Sequence, residues 1–202
     1  MNHIEPLVIK LAETKLDENG IRQLMEHYSA LEWFHKARQL QPNDSEFLIE
    51  IAGRTCYKSF GVGLNPNITK VRENPRDYLT NVLEKGDGSI LEHATVTFAF
   101  LNVSRIFTHE IVRHRAGTAM SQESLRYLRL RDIGLWIPPD LLEVSGKVSE
   151  AVKEIEGRYH DLEAQFDWDK MSFEQKKRIT SALRRIIPDG IATNLVWTAN
   201  HR

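Results

Sequence analysis

An intrachain disulfide is out of reach for this chain. Of its 202 residues one, Cys56, is a cysteine, so no intrachain bridge can form. No stretch approaches the roughly 18 consecutive apolar residues of a membrane span. The opening MNHIEPLVIK lacks the charged start, long apolar run and small-residue cleavage site of a signal peptide. Charge of one sign is missing too: 27 Lys and Arg against 28 Asp and Glu leave a formal net charge of -1. That balance withholds both the global basic field of a nucleic-acid binder and the acidic excess of a disordered segment. Repeats and low-complexity tracts are absent as well. The expectation is a cytoplasmic protein that engages neither membrane nor nucleic acid, and whose positive character is local.

What is present is material for a core. Hydrophobic residues make up 41% of the chain, enough for one domain that buries roughly 70% of its unfolded surface. PLVIKLAE reads as an edge or central strand, and residues 21–40 carry apolar residues at helical spacing. Asn43, Asp44 and Ser45 are N-caps for the helical run EFLIEIAGRTCY, which Gly61, Gly63 and Pro66 end. Pro75 opens a second helix, PRDYLTNVLEKG, closed by Gly86. ATVTFAF alternates and is rich in β-branched and aromatic residues, the strongest strand signal in the chain. Ser104 caps a helix RIFTHEIVRHR, whose last turn gathers Arg113, His114 and Arg115. Gly117 and the small residues after it mark a loop, LRYLRL returns to extended structure, and IPPD is a turn. Two helices follow over residues 141–165 and 172–187, stopped by Pro188 and Gly190, and NLVWTA has strand or buried-helix character. The order predicts a single α+β domain over residues 1–202, a mainly antiparallel sheet packed by long helices.

The chemistry concentrates in VRHRAGTAMSQESLRY. Basic residues at a helix C-terminus are by themselves ordinary. The sequence after them is not: Ser121, Gln122, Ser124 and Arg126 bring hydroxyl, amide and guanidinium donors close together in a small-residue loop, a cradle for phosphate or carbonyl oxygens. A zinc-helix reading of HEIVRH fails on geometry, since His114 follows His109 by five residues and stands about 140° around the helix from it; no metal is expected. Cys56 has no neighbouring base to activate it and reads as a packing residue. His93 at the mouth of the strong strand reads as a hydrogen-bonded turn, Trp197 as core, and KEIEGRYHDLEAQ as a solvated helix face.

Four segments together resemble the flavin-dependent thymidylate synthase family, also called thymidylate synthase complementing proteins. They are GRTCYKS, LEKGDGSILEHATVTF, the RHR triplet with its loop ending in SLRY, and RRIIPDGIATNLVWTANHR. Their order and spacing match from about Ile51 to Arg202. The resemblance implies reductive methylation of deoxyuridine monophosphate (dUMP), with methylenetetrahydrofolate supplying the carbon, FAD the hydride and NADPH the reducing power, and with no enzyme cysteine attacking the base. It implies that Arg113, His114 and Arg115 contact flavin and nucleotide, and that Gln122, Ser124 and Arg126 hold the nucleotide, chiefly its phosphate. It further implies that Arg185 reaches a nucleotide on a neighbouring subunit of a homotetramer, that Asn200 and Arg202 contact flavin, and that the segments of Cys56 and Ser89 approach it. Glu110 stands where a nucleotide-contacting glutamine is common, Asp87 where a histidine is common, and the signature loop is one residue longer than in typical members. The resemblance also leads to the expectation that the family's C-terminal helix, with a further arginine, is absent. The runner-up reading is a flavin- or nucleotide-binding homologue of the same fold without the methylation, and behind it an interaction module that uses the arginine cluster.

Overall fold

The computed structural model describes residues 2–41, 43–68, 70–127 and 134–202. Its order is β1 (Asn2–His3), β2 (Leu7–Glu13), α1 (Glu18–His27), α2 (Leu31–Leu40), α3 (Asp44–Tyr57), α4 (Pro75–Lys85), β3 (Thr95–Ser104), α5 (Arg105–Ile111), β4 (Thr118–Gln122), β5 (Gly134–Leu135), α6 (Ser145–Glu163), α7 (Phe173–Leu183) and β6 (Ala192–Asn200). Short 3₁₀ turns cover Gly88–His93, Pro139–Val144, Trp168–Lys170 and Arg184–Ile186. The main sheet has the order β2-β3-β6-β4 and is antiparallel, so the expected α+β class holds. The chain clusters into two units, residues 1–9 with 98–197 and residues 10–97 with 198–202.

The unit of residues 10–97 and 198–202 is helical around a charged centre. Asn43 accepts from Glu46 N at 3.1 Å to start α3, with Asp44 and Glu46 favouring the positive end of the helix dipole. One face of α3 sends Phe47 and Ile51 against Ile21, Met25, Phe34 and Phe60; another sends Ile49 against Tyr78, Val82 and Ile90. Arg54, on the same helix, is 1% exposed. Its Nε donates to Glu50 Oε1 at 2.9 Å, its Nη1 to Ser59 O at 2.9 Å and its Nη2 to Arg72 O. Its guanidinium lies 4.5 Å from the ring centre of Tyr78 and 5.2 Å from that of Trp33. Gly53 is forced by that packing, because a Cβ there would meet Tyr78 Oη at 2.2 Å.

Helix ends follow one device three times. At Ser29, Lys58 and Gly86 the backbone turns left-handed, with φ of 54°, 49° and 74°. Behind each, paired reverse bonds close the last carbonyls: Ala30 N to Met25 O with Ser29 N to Glu26 O, Ser59 N to Arg54 O with Lys58 N to Thr55 O, and Asp87 N to Val82 O with Gly86 N to Leu83 O. The helical periodicity over residues 21–40 therefore resolves into two helices, because Ser29 turns the chain out of the first. For the same reason α3 ends at Lys58, before the glycines expected to end it.

In the unit of residues 1–9 and 98–197, β1 pairs in parallel with β5, Asn2 opposite Gly134 and His3 opposite Leu135. Leu135, Val152 and Ile191 form its core. Three sequence expectations change here. The helix begun by Ser104, whose side chain accepts from Phe107 N at 3.1 Å, stops at Ile111; Arg113 N and His114 N turn back to Glu110 O and Ile111 O in tight turns, so the RHR triplet follows the helix rather than forming its last turn. The small residues after Gly117 are the strand β4, since pairing with β6 supplies backbone partners that their weak propensity does not suggest. KEIEGRYHDLEAQ is no uniformly solvated face: Val152, Glu156 and Tyr159 bury one side of α6. LRYLRL begins as a turn over residues 125–127, and its remainder lies outside the described residues. No helix among the described residues is long and apolar enough to cross a membrane.

The buried pair makes a prediction. Burial pushes the Glu50 carboxyl above its ordinary value near 4.5, and the Arg54 charge and hydrogen bond oppose that rise. Arg54→Met leaves the carboxylate buried alone and should lower the unfolding free energy at neutral pH by about 3–5 kcal/mol. With Arg54 gone the folded-state value rises further, so the proton binds the folded chain more tightly than the unfolded one. The deficit relative to the parent is then full above the folded-state value and shrinks as pH falls towards 4.5. Urea unfolding of both proteins across that range checks it; a deficit independent of pH means that the loss is one of packing.

Candidate functional site

The unit of residues 1–9 and 98–197 carries the triplet and its loop on a polar frame. Arg113, His114 and Arg115 are all exposed. Gly117, at φ 66°, and the Thr118 hydroxyl, which donates to His114 O at 2.6 Å, turn the chain from the triplet into β4. Glu110 and Arg113 face each other at 3.7 Å. The carboxylate at that position is thus answered by the first arginine of the triplet, though both side chains are well exposed and the pair is weak.

Gln122 ends β4 with its amide orientation determined. The Thr108 hydroxyl donates its one proton to Arg105 O at 2.9 Å, so towards Gln122 it can only accept, and it receives Nε2 at 3.0 Å. Thr193 Oγ1 receives the same Nε2 at 3.4 Å and Arg105 Nη1 at 3.3 Å. The Gln122 carbonyl oxygen is left as the acceptor this amide offers to a ligand. Arg105 is half-buried, and desolvation draws its guanidinium below its ordinary value, with Asp189 and Glu123 opposing and Arg184 adding to the shift.

Residues 123–126 are held by Asn194. Its backbone N and Nδ2 donate to the two Glu123 carboxylate oxygens at 3.2 and 2.8 Å, its carbonyl accepts from Glu123 N at 3.0 Å, and its Oδ1 accepts from Asn102 N at 2.8 Å. Asn102 itself stands left-handed within β3 at φ 59°, a conformation asparagine tolerates, and donates Nδ2 to Glu5 O at 3.0 Å. Just beyond, half-buried Ser124 accepts from Arg126 N at 3.3 Å, so its hydroxyl shapes the turn that presents Arg126. Arg126 is exposed and lines a hollow of about 200 Å³ with Tyr127, Phe173 and Lys177; Tyr127 stacks on Phe173 at 6.3 Å. Arg185 sits exposed in the 3₁₀ turn Arg184–Ile186 of the same unit.

The other predicted residues belong to the unit of residues 10–97 and 198–202. Arg202 pairs with Glu92, its backbone N donates to Asn200 Oδ1 at 3.2 Å, and its side chain lies against Gly88, where a Cβ would come within 3.4 Å of Nε. Ser89 follows Gly88 in the 3₁₀ turn and is exposed. Asn200, Arg202 and the Ser89 turn thus come together. Cys56 is exposed on the last turn of α3 and donates to Ala52 O at 3.5 Å, so it is not the buried packing residue expected. Sequence reasoning passed over Thr108, Thr193, Glu123 and Asn194. Only Glu123, inside the quoted loop, carried any local signal; the others are brought in by strand pairing and a helix turn.

Because Asn194 saturates both sides of the Glu123 contact, Asn194→Ala should open the loop without unfolding the chain. Amide exchange over residues 122–127 should speed up by about tenfold, the loss of one or two charge-assisted bonds, while α6 and α7 keep their protection. Unchanged exchange in the loop means that Glu123 is not its anchor.

Comparison with known proteins bears on this arrangement. Residues 39–202 match the thymidylate synthase complementing protein family. Flavin-dependent thymidylate synthases of Mycobacterium bovis and Mycobacterium tuberculosis are 34% identical over 162 residues, covering 77% of this chain and 62% of theirs. That of a further Mycobacterium species is 32% identical over 171 residues. The chain thus spans about three fifths of the length of the curated relatives it matches. Crystal structures of the UMP/dUMP methylase PolB from Streptomyces cacaoi, bound with 5-Br UMP and with 5-Br dUMP, share the fold, with TM-scores of 0.61 and 0.62 at 14% and 13% identity. They align with 98% and 99% of this chain, and the alignment takes in 72% and 75% of theirs. With a family match that runs from α2 through the triplet, its loop and the Asn200–Arg202 end, the chain belongs to the thymidylate synthase complementing protein family.

Proposed function

We propose that this protein acts as a flavin-dependent thymidylate synthase in the cytoplasm, converting dUMP to dTMP. Methylenetetrahydrofolate is the carbon donor and NADPH the reductant. The observation that carries the reading is the oriented Gln122 amide beside the Ser124–Arg126 turn, a base-facing acceptor next to a phosphate-facing guanidinium. The 34% identity to the mycobacterial enzymes supports it, as does the ligand class of the structures that share the fold.

Each group then has a task. Gln122 accepts from the pyrimidine, and Arg126 grips the phosphate with two forked bonds. Arg113, tempered by Glu110, sits where nucleotide and flavin meet, with His114 and Arg115 beside it. The donor set near Gly88 suits FAD: the Arg202 guanidinium is anchored at one end by Glu92 and keeps further N–H groups to offer, Ser89 and Asn200 add neutral ones, and Gly88 leaves room for close approach. FAD, when bound, supplies hydride chemistry that no side chain offers. The chain's own work is to place the base, neutralise the phosphate and orient the donors. No thiolate is needed, and Cys56 serves as a contact rather than a nucleophile. Arg185, exposed on its turn, reaches the nucleotide of a neighbouring copy in a homotetramer, and the exposed Leu7, Val8, Ile9 and Leu11 of β2 supply apolar surface for such assembly.

Two substitutions test this. Arg126→Lys exchanges a fork for a point charge and should weaken dUMP binding by about tenfold or more, roughly 1.4 kcal/mol, while deoxyuridine binding hardly changes; equal losses make Arg126 a structural residue. Cys56→Ser should retain dTMP formation, measured chromatographically with FAD, NADPH and methylenetetrahydrofolate supplied. Abolished turnover in a folded, flavin-loaded Cys56→Ser protein would assign the carbon transfer to the thiol.

A further inference from the structure

The unit of residues 10–97 and 198–202 holds a cavity of about 390 Å³ that the reading above does not use. It is large enough for a small molecule rather than a bare ion. Arg54 and Tyr78, both buried, line its inner wall, and Lys70, Arg72 and Lys85 line it from the α3–α4 connection and the end of α4. Asp87 is the one acid among the lining residues, and Asn67 and Asn81 add neutral amides.

Charge bookkeeping decides what the hollow wants. The Arg54 charge is answered inside the fold by Glu50 at 2.7 Å. Lys70, Arg72 and Lys85 are different: among the described residues none of their side chains forms an ion pair. Within the lining, three cations face one carboxylate and repel one another, where the low-dielectric wall strengthens the field; Glu73, Asp77 and Glu84 lie in the adjoining hollow that Lys70 and Arg72 also border, and among the described residues none of them forms an ion pair with these cations. Burial pushes the Tyr78 hydroxyl up to about 12, so at neutral pH it remains a neutral donor and adds no negative charge. The wall is thus an array of donors with surplus positive charge and little to accept. Its complement is a compact dianion with several acceptor oxygens, which a phosphate group is and a carboxylate, with two oxygens and one charge, is not. The exposed ring of Tyr57 on the same cavity offers the remainder of such a molecule an apolar surface.

We propose that this cavity is a binding site for a phosphate-bearing small molecule, with Lys70, Arg72 and Lys85 holding the phosphate, built from residues other than those of the triplet and its loop.

Inorganic pyrophosphate is the probe, titrated calorimetrically into the full chain. To silence the triplet and loop, the titration is made in an Arg113→Gln, Arg126→Gln background. Pyrophosphate should still bind there, and adding Lys70→Gln and Lys85→Gln should weaken it by about tenfold or more. Lys85→Arg, which keeps the charge, should retain affinity within about threefold, and circular dichroism should show the same fold throughout. In the otherwise unaltered protein the lysine pair should leave dUMP affinity unchanged, so a failure of dUMP binding and a failure of this site read out separately. Absence of pyrophosphate binding in the arginine-silenced background overturns the proposal, and so does binding that the lysine changes leave intact.

Discussion

A buried guanidinium organises the helical unit. Arg54 touches Glu50 one turn back, the carbonyls of Ser59 and Arg72, and the rings of Trp33 and Tyr78. Those partners lie on α2, α3, α4 and the connection between the last two, so one side chain ties four parts of the chain together. The guanidinium is fully engaged, as a buried charge must be to repay its desolvation; of Glu50 only Oε1 takes part, and its Oε2 is buried without a hydrogen-bond partner. Neighbouring features follow. Gly53 yields space to Tyr78, Lys58 accepts a left-handed backbone so that Ser59 can present its carbonyl, and Arg72, just before α4, is tied back to α3 through its own carbonyl.

The unit with the arginine triplet solves a similar problem without a buried charge pair. Its frame is a network of hydroxyls and amides with a charged group at each end: the Arg105 guanidinium donates to Thr193, Gln122 donates to Thr193 and Thr108, and Asn194 binds the Glu123 carboxylate and Asn102. Each member uses its donors on one neighbour and its acceptors on the next, which gives Gln122 one orientation. The arginines of the triplet, the loop and the 3₁₀ turn can then stand exposed, as Arg113, Arg126 and Arg185 do, because neighbouring elements rather than their own burial hold them.

Overall charge neutrality conceals strong local contrasts. Cations gather on the turn after α5, on the loop ending at Arg126, and around the cavity under the α3–α4 connection, while acids such as Glu110 and Glu92 answer selected arginines. Each positive site is local, so the nearly zero net charge of the chain says nothing against anionic ligands.

Much of the fold was legible in order and type. The N-caps at Asn43 and Ser104 sit before periodic runs, Pro75 opens α4 and Gly86 ends it, and the alternation of ATVTFAF is the start of β3. These signals are local, since a cap or a pleat is decided within a few residues. The signature residues were legible through the resemblance, because a linear motif preserves residue types. What the sequence could not determine was the end of α5 before the triplet, the strand at Thr118–Gln122, the break at Ser29, and the ring of Thr108, Thr193, Asn194 and Glu123 around Gln122. All four depend on partners far along the chain or on a backbone turn that no side chain announces. Residue types, caps and periodicity were settled by neighbours in sequence; the direction in which Gln122 points was settled only when the end of β4 came to lie against α5, because the Thr108 hydroxyl has a single proton and gives it to Arg105 O.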